Sequence, residues 1–321
     1  MTEPLVSVVI LVTPDRASLL GRALTSVAAQ SYSNFEVIIV QDGPGHEVEE
    51  VLVNHVMDRP VRLVKAPGRI GAAAARNLGV RMARGDFVAF LDSDDEWFPR
   101  KLEKQIPCFA DPAVGAVGCE SLMKDDRSGC VLKKQAPALR GDVFQQLLLS
   151  GAGVQTSMLV VRRKDFEQVG GFNERLSFAE EKDLALRLAR ICRFGWVSEP
   201  LGVQHFNHGL VQGSLDADNV IHGIRAFAAI WEGEARSRFG SDGVRRLHRW
   251  LYGYAVNARK RQIENGRSLG ERWTVLRAIT REEWRHIGWV ELGKMAILLA
   301  LGGNVAKIWR KLAWRSGERH R

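Results

Sequence analysis

The stretch "RGDFVAFLDSDDEWFPRKLE" sets an apolar run, Phe87 to Leu91, directly before four acids in five residues: Asp92, Asp94, Asp95 and Glu96. Clustered like charges repel, so something has to compensate them. If the strand continues past Leu91, Asp92 and Asp94 stand at i and i+2 and present two carboxylates on one side. A hard divalent cation, Mg²⁺ or Mn²⁺, suits such a pair, because these ions take oxygen ligands and complete their shells with water and phosphate oxygens. The same spacing also suits a solvated acidic turn that caps the helix expected in "EWFPRKLEKQI".

A second group of acids lies far along the chain. In "FAEEKDLALRLAR", Glu181, Leu184 and Leu188 fall at i, i+3 and i+7, so they share a helix face, with Glu181 on the first turn. A carboxylate there looks inward, and partial desolvation raises its pKa toward the value a general base requires. A plain N-terminal acid favoured by the helix dipole fits Glu180 and serves for both. Asp183 and Arg187, at i and i+4, suit a structural ion pair.

These groups have to be positioned by something, and the alternation of apolar runs supplies it. "VSVVILV", "FEVIIVQ", "VRLVKA", "DFVAFLD", "VGAVGCE" and "SMLVVRR" read as strands, most of them buried on both faces. "RASLLGRALTSVAAQ" and "AAAARNLGVRMARG" read as helices, the second stopping at Gly85. Alternating units predict an α/β fold with a doubly wound, mostly parallel sheet. Ligands of such sheets sit beyond the carboxyl ends of the strands, where "LDSDD" and the Asp42 of "FEVIIVQDGPG" both fall.

Composition bounds the rest. The 321 residues carry a net charge of +9, concentrated after residue 214, where 21 Lys and Arg face 11 Asp and Glu. The first 214 residues hold 25 against 26, close to neutral. This shift predicts a boundary near 214, with 1–214 as the catalytic part and 215–321 as a basic, Trp-rich helical region. The amino-terminal run is too short to span a membrane and lacks a basic leader, so it is expected to be a buried strand of a cytoplasmic protein. Cys108, Cys119, Cys130 and Cys192 fall in no zinc spacing and suit reduced packing thiols.

Five ordered pieces together resemble the inverting family 2 glycosyltransferases of the GT-A fold: "VSVVILVTPDR", "VIIVQDG", "GAAAARNLG", "FLDSDDEW" and "VRRKDFEQVGGFNERLSFAEEKDLALRL". The resemblance covers roughly residues 5–214. It implies that Thr13 and Asp42 line the pocket for the base, that Arg76 helps hold the nucleotide, and that Asp92 and Asp94 address ribose and metal. Asp94 is then the direct ligand of Mg²⁺ or Mn²⁺, Glu181 takes the place of the usual Asp base with Glu180 beside it, and His208 of "VQHFNHGLVQGS" neighbours the diphosphate. The partners implied are a nucleotide-diphosphate sugar and a glycan or lipid-linked acceptor, as in cell-envelope polysaccharide synthesis. Three positions depart from the family's habit: Gln41 replaces a first Asp, Pro14 replaces an aromatic residue, and Glu181 replaces Asp.

A nucleotide-sugar-binding protein that has lost catalysis is the alternative these departures raise. An aspartyl phosphatase needs Thr or Val where Glu96 stands, and no nucleic-acid motif accompanies the basic tail. That tail sets an apolar run, Met295 to Gly303, between Trp289 and the pair Trp309 and Trp314, with Lys307, Arg310, Lys311 and Arg315 nearby. Aromatic anchors beside cations suit an anionic membrane surface at the inner face, and equally suit helices packed on the catalytic part.

Overall fold

The computed structural model describes residues 3–55, 58–134, 138–206 and 217–265. They form two compact units, up to residue 206 and from residue 217. The expected boundary at 214, His208 and the Trp and cation group of the tail lie outside the described residues.

The first unit is built on one mixed sheet. Its strands are β1 (Val6–Val12), β2 (Phe35–Gln41), β3 (Val61–Lys65), β4 (Phe87–Asp92), β5 (Glu96–Trp97), β6 (Val114–Asp125), β7 (Val131–Lys134), β8 (Val160–Arg162) and β9 (Arg193–Phe206). They run in the order β3-β2-β1-β4-β8-β6-β9-β5, with β7 on β6. The half β3-β2-β1-β4 is parallel, β8 runs antiparallel to β4 and β6, and β9 is parallel to β6. The helices are α1 (Ala17–Ala28), α2 (Glu47–Val53), α3 (Ala72–Arg81), α4 (Lys101–Gln105), α5 (Phe144–Ser150), α6 (Arg163–Gln168) and α7 (Glu180–Leu188).

The parallel half forms because β1, β2 and β4 are apolar on both faces and bury nearly every residue. The exceptions are paired. Ser7 donates to Glu36 at 2.7 Å, and the amides of Gly85 and Arg84 donate in turn to the Ser7 hydroxyl and the Glu36 carboxylate. No buried acceptor of this pair is left for water to satisfy. Register then aligns the strand ends: Val12 lies opposite Gln41 and Leu11 opposite Asp92. Thr13, Asp42 and the acidic run therefore emerge at one edge.

Three expectations are corrected. Helix α3 stops at Arg81 rather than Gly85. Gly85 instead lets the chain pass β1 closely, since a Cβ there would lie 2.7 Å from the Leu5 carbonyl oxygen and the Ser7 nitrogen. The helix expected from Glu96 begins only at Lys101, because Glu96 and Trp97 pair with β9 as a short strand. Strand β9, fourteen residues long, was not expected at all; Gly195, Pro200 and Gly202 break its apolar pattern. His205 sits near the end of this strand.

The described residues of the second unit form a helical hairpin. Helix α8 (Ala217–Asn265) breaks at Gly240, whose φ of 63° and ψ of −155° are non-helical. The two arms meet edge to face at Phe227 and Trp250, ring centroids 5.5 Å apart, and pair Arg259 with Asp218 at 2.8 Å. No helix among the described residues is long and apolar enough to cross a membrane.

Candidate active site

The acidic run leaves the sheet as a turn, not as continued strand. Strand β4 ends at Asp92, and the Asp95 amide donates back to the Asp92 carbonyl at 3.0 Å. The i, i+2 argument for Asp92 and Asp94 thus fails. Each acid of the run has its own partner. Arg76 donates to Asp92 at 2.7 Å, and Arg16 lies 3.2 Å from the Asp94 carboxylate. Asp95 is buried and accepts from the Ser157 hydroxyl and the His205 amide. Burial, reinforced by the charges of Asp92 and Asp94, pushes the Asp95 carboxyl well above its ordinary range. Glu96 lies 2.9 Å from Nε2 of His205, whose Nδ1 is 2.6 Å from Asp126.

Arg22, on α1, holds this turn from behind. It donates to the Asp94 carbonyl at 2.6 Å and to the Asp126 carboxylate at 3.1 Å. Burial opposes ionisation of Asp126, but the contacts of His205 and Arg22 outweigh it and lower its pKa.

Arg76 joins two parts of the sequence. Its guanidinium reaches Asp92 with one nitrogen and Glu180 with another, at 2.7 and 3.0 Å, and lies 5.5 Å from the centre of the Phe172 ring. Burial alone would lower its pKa, yet the two carboxylates more than compensate and raise it. The neighbouring Asn77 grips the turn before α7. It accepts from the Phe172 amide at 2.8 Å and donates to the Phe172 carbonyl and to Glu174, both at 2.9 Å. The turn needs glycine at Gly171, where φ is 70° and a Cβ would come within 2.6 Å of Asn77 Oδ1. Phe172 in turn packs edge to face on Phe90 of β4 at 5.2 Å.

Glu181 lies in the first turn of α7, behind the N-cap Ala179, a non-glycine residue held at φ 58° and ψ 28°. Such strain gathers where function constrains the backbone. Leu184 and Leu188 are fully buried on the same face, as the spacing requires. Burial first, and the charge of Glu180 second, push the Glu181 carboxyl up to about 7. The adjacent acids thus differ: Glu180 faces Arg76, whereas Glu181 is poised to exchange a proton near neutrality. Lys182 donates to the Gly151 carbonyl at 2.6 Å, and Arg187 grips Asp183 with two nitrogens at 2.9 and 2.6 Å, the expected structural pair.

Past the end of β2, the Asp42 carboxylate accepts the amides of Ile70 and Gly71 at 2.6 and 3.0 Å and so fixes the entry to α3. Thr13 follows β1 and accepts the Arg16 amide at 2.8 Å. Gln41 is buried and donates to the carbonyls of Gly43 and Gly45, which an Asp could not do. Its Oε1 meets no donor among the described residues.

The structure therefore gathers Thr13, Asp42, Arg76, Asp92 and Asp94 at one edge, and Arg76 ties that edge to Glu180, the neighbour of Glu181. Arg16, Arg22, Asn77, Phe172 and Ser157 belong to the same network and were not singled out from sequence. Asn77 stands beside Arg76 in a quoted motif, so its position was visible; the others carry no local signal. No group of three acids, His or Cys arranged to hold a metal exists among the described residues. Asp94 can offer a cation one carboxylate whose present partner is itself a cation, which fits an ion that takes its other ligands from a diphosphate and water.

Comparison with known proteins finds relatives in polysaccharide biosynthesis. Amylovoran biosynthesis glycosyltransferase AmsB of Erwinia amylovora is 28% identical over 186 residues, 55% of this chain and 62% of its own length. O-antigen biosynthesis protein RfbC of Myxococcus xanthus is 31% identical over 205 residues, 62% of this chain but 16% of its own. The chain thus spans less than two thirds of either relative. Among solved structures, the mannosyltransferase PcManGT of Pyrobaculum calidifontis, in complex with GDP-Man and Mn²⁺, superposes with a TM-score of 0.55 at 20% identity, covering 94% of this chain and 88% of that one. At that identity the likeness shows the GT-A-type fold. The family Glycosyl transferase family 2 matches residues 7–170, half of the chain, and the protein belongs to that family.

Proposed function

We propose that the chain is a metal-dependent, inverting glycosyltransferase that moves a sugar from a nucleotide-diphosphate sugar to an acceptor hydroxyl in surface polysaccharide synthesis. The observation that carries this reading is the split between two adjacent acids. Glu180 accepts from Arg76 at 3.0 Å, while burial raises the Glu181 carboxyl to about 7. A carboxylate so poised takes the acceptor proton as the hydroxyl oxygen attacks the anomeric carbon and the bond to the diphosphate oxygen breaks, its electron pair leaving with the diphosphate. A divalent ion bound at Asp94 would supply Lewis-acid stabilisation of that leaving charge. Thr13 and Asp42 border the base, Asp42 by fixing the Ile70–Gly71 segment, and Arg76 orients Asp92 toward the ribose. The relatives that make amylovoran and O-antigen, and the fold shared with a mannosyltransferase holding GDP-Man and Mn²⁺, support the donor and acceptor classes. We place the protein in the cytoplasm, with 1–214 as catalytic part and 215–321 as a region lying against the membrane's inner face.

The test is a screen of nucleotide sugars for metal-dependent hydrolysis and transfer, with Asp94→Asn beside the natural chain. Turnover of one donor in Mn²⁺ or Mg²⁺, lost in Asp94→Asn, is expected. Tight donor binding without turnover under any condition would favour the binding protein instead.

A further inference from the structure

We propose that His205 is a positioning residue of the donor site: its ring braces the acidic turn from behind, so that Asp94 is held in one place for a metal-bound diphosphate. The inference rests on the reading of Asp94 as metal ligand.

The ring of His205 is fully buried, yet its partners are charged. Nε2 lies 2.9 Å from Glu96 and Nδ1 lies 2.6 Å from Asp126, with the Arg22 guanidinium 2.9 Å from the same Nδ1. Ionic groups enclosed in this way are a poor source of stability, because apolar side chains of the same volume fill the space without losing hydration. What such a cluster supplies is direction. Two nitrogens on different edges of one flat ring address two carboxylates at once, which an Asn or Gln amide, with its polar atoms at one end, does not.

Both carboxylates lead to the acidic turn. Glu96 belongs to it, two residues past Asp94. Asp126, just beyond β6, fixes Arg22 at 3.1 Å, and Arg22 donates to the Asp94 carbonyl at 2.6 Å. His205 thus reaches the turn by two arms, one through Glu96 and one through Asp126 and Arg22. The main chain around the ring is anchored independently of it: Glu96 pairs with Val203, the His205 amide donates to Asp95 at 3.1 Å, and the Asp126 amide donates to the Phe206 carbonyl at 3.0 Å. Strand β9 therefore keeps its register without the ring. Removing the ring leaves Glu96 and Asp126 on either side of the space it filled, and their repulsion displaces the turn.

The test is Mn²⁺ binding by the full chain with UDP or GDP, read as the protein-dependent loss of the electron spin resonance signal of free Mn²⁺, with thermal unfolding measured alongside. His205→Ala cuts both arms and is expected to weaken binding about tenfold, the low end of what loss of an outer-shell partner costs a metal site. His205→Asn places its amide where Nδ1 stood and His205→Gln where Nε2 stood, so each restores one arm and should recover part of the affinity. Arg22→Gln tests the sign: removing a cation beside the site tightens binding if only the field matters, and weakens it if Arg22 holds the turn. Natural affinity in a folded His205→Ala overturns the proposal, as does a loss that neither Asn nor Gln recovers, or unchanged or tighter binding in Arg22→Gln. If His205→Ala does not fold, Arg22→Gln decides alone. Loss of binding in Asp94→Asn beside natural affinity in His205→Ala overturns the proposal and leaves the reading of Asp94 standing. Binding that survives Asp94→Asn, or no Mn²⁺ binding by the natural chain with either nucleotide, overturns that reading and the proposal with it.

Discussion

Glu181→Gln is expected to exchange activity for stability, and the exchange can be followed without knowing the substrate. The carboxyl moves from an ordinary 4.5 to about 7 on folding. At 1.36 kcal/mol per unit this is about 3 kcal/mol, and because the side chain still reaches solvent, screening reduces it to about 1–2 kcal/mol. The sign follows from proton uptake. Below about pH 4.5 both states hold the proton and the group is neutral for stability. Between 4.5 and 7 the native state holds it and the unfolded chain does not, so stability falls as pH rises. Above 7 the full penalty stands, and Gln removes it. Urea denaturation at pH 8 should find the variant more stable by about 1–2 kcal/mol, with the gap closing toward pH 4.5. Transfer should drop about 100-fold or more. In the natural enzyme, activity should rise with pH up to about 7 and then level. Equal stability gaps at both pH values, or full activity in the variant, would refute the assignment and turn attention to Glu180.

Gln41→Asp should lower stability by about 1–3 kcal/mol, since the two carbonyls that Gln41 satisfies lose their donor; a urea titration reads this directly. Lys101 is fully buried, its Nζ meets no hydrogen-bond acceptor among the described residues, and burial lowers its pKa to about 8. That shift costs about 3 kcal/mol at neutral pH, of which the Trp97 ring 4.0 Å away returns about 2, so Lys101→Met should gain about 1 kcal/mol at pH 7. The gain should fade between pH 8 and 10.5, where the native lysine is already neutral and the unfolded one still charged; loss of stability at pH 7 would show that its charge has a partner. The full chain should sediment with anionic vesicles, less at high salt, and not with neutral ones.

The parallel half of the fold was legible because its strands are continuous apolar runs buried on both faces, a pattern local sequence carries. Strand β9 was not, since Gly195, Pro200 and Gly202 interrupt its run and its place is set by pairing with β6, whose partners lie 78 to 81 residues away in sequence. The site divides in the same way. Asp92, Asp94, Arg76 and Glu181 stand in short motifs, so their types could be read; the partners Arg16, Arg22 and Ser157 could not, because contacts across 60 to 80 residues leave no spacing to count. The i, i+2 geometry failed for a local reason, the turn that closes from Asp95 to Asp92.

By spacing, Asp92 and Asp94 of the acidic run suit a shared cation, yet the fold assigns the charges of the run one by one. Arg76 takes Asp92, Arg16 takes Asp94, Glu96 faces His205, and Asp95 is pushed toward its neutral form. Counting acids therefore overstates the ligands this run can give a metal, because each carboxylate already has a partner in the fold. Arg76 also bears on Glu181, whose carboxyl is raised to about 7 mainly by burial. Arg76 is saturated by Asp92 and Glu180, which lie 16 and 104 residues from it in sequence. Loss of either carboxylate would free a donor of this guanidinium, and its unbalanced charge would then pull the pKa of Glu181 down. Asp92 and Glu180 are thus coupled through one buried arginine, and if Glu181 acts as proposed, a lesion at Asp92 should move the pH profile of transfer.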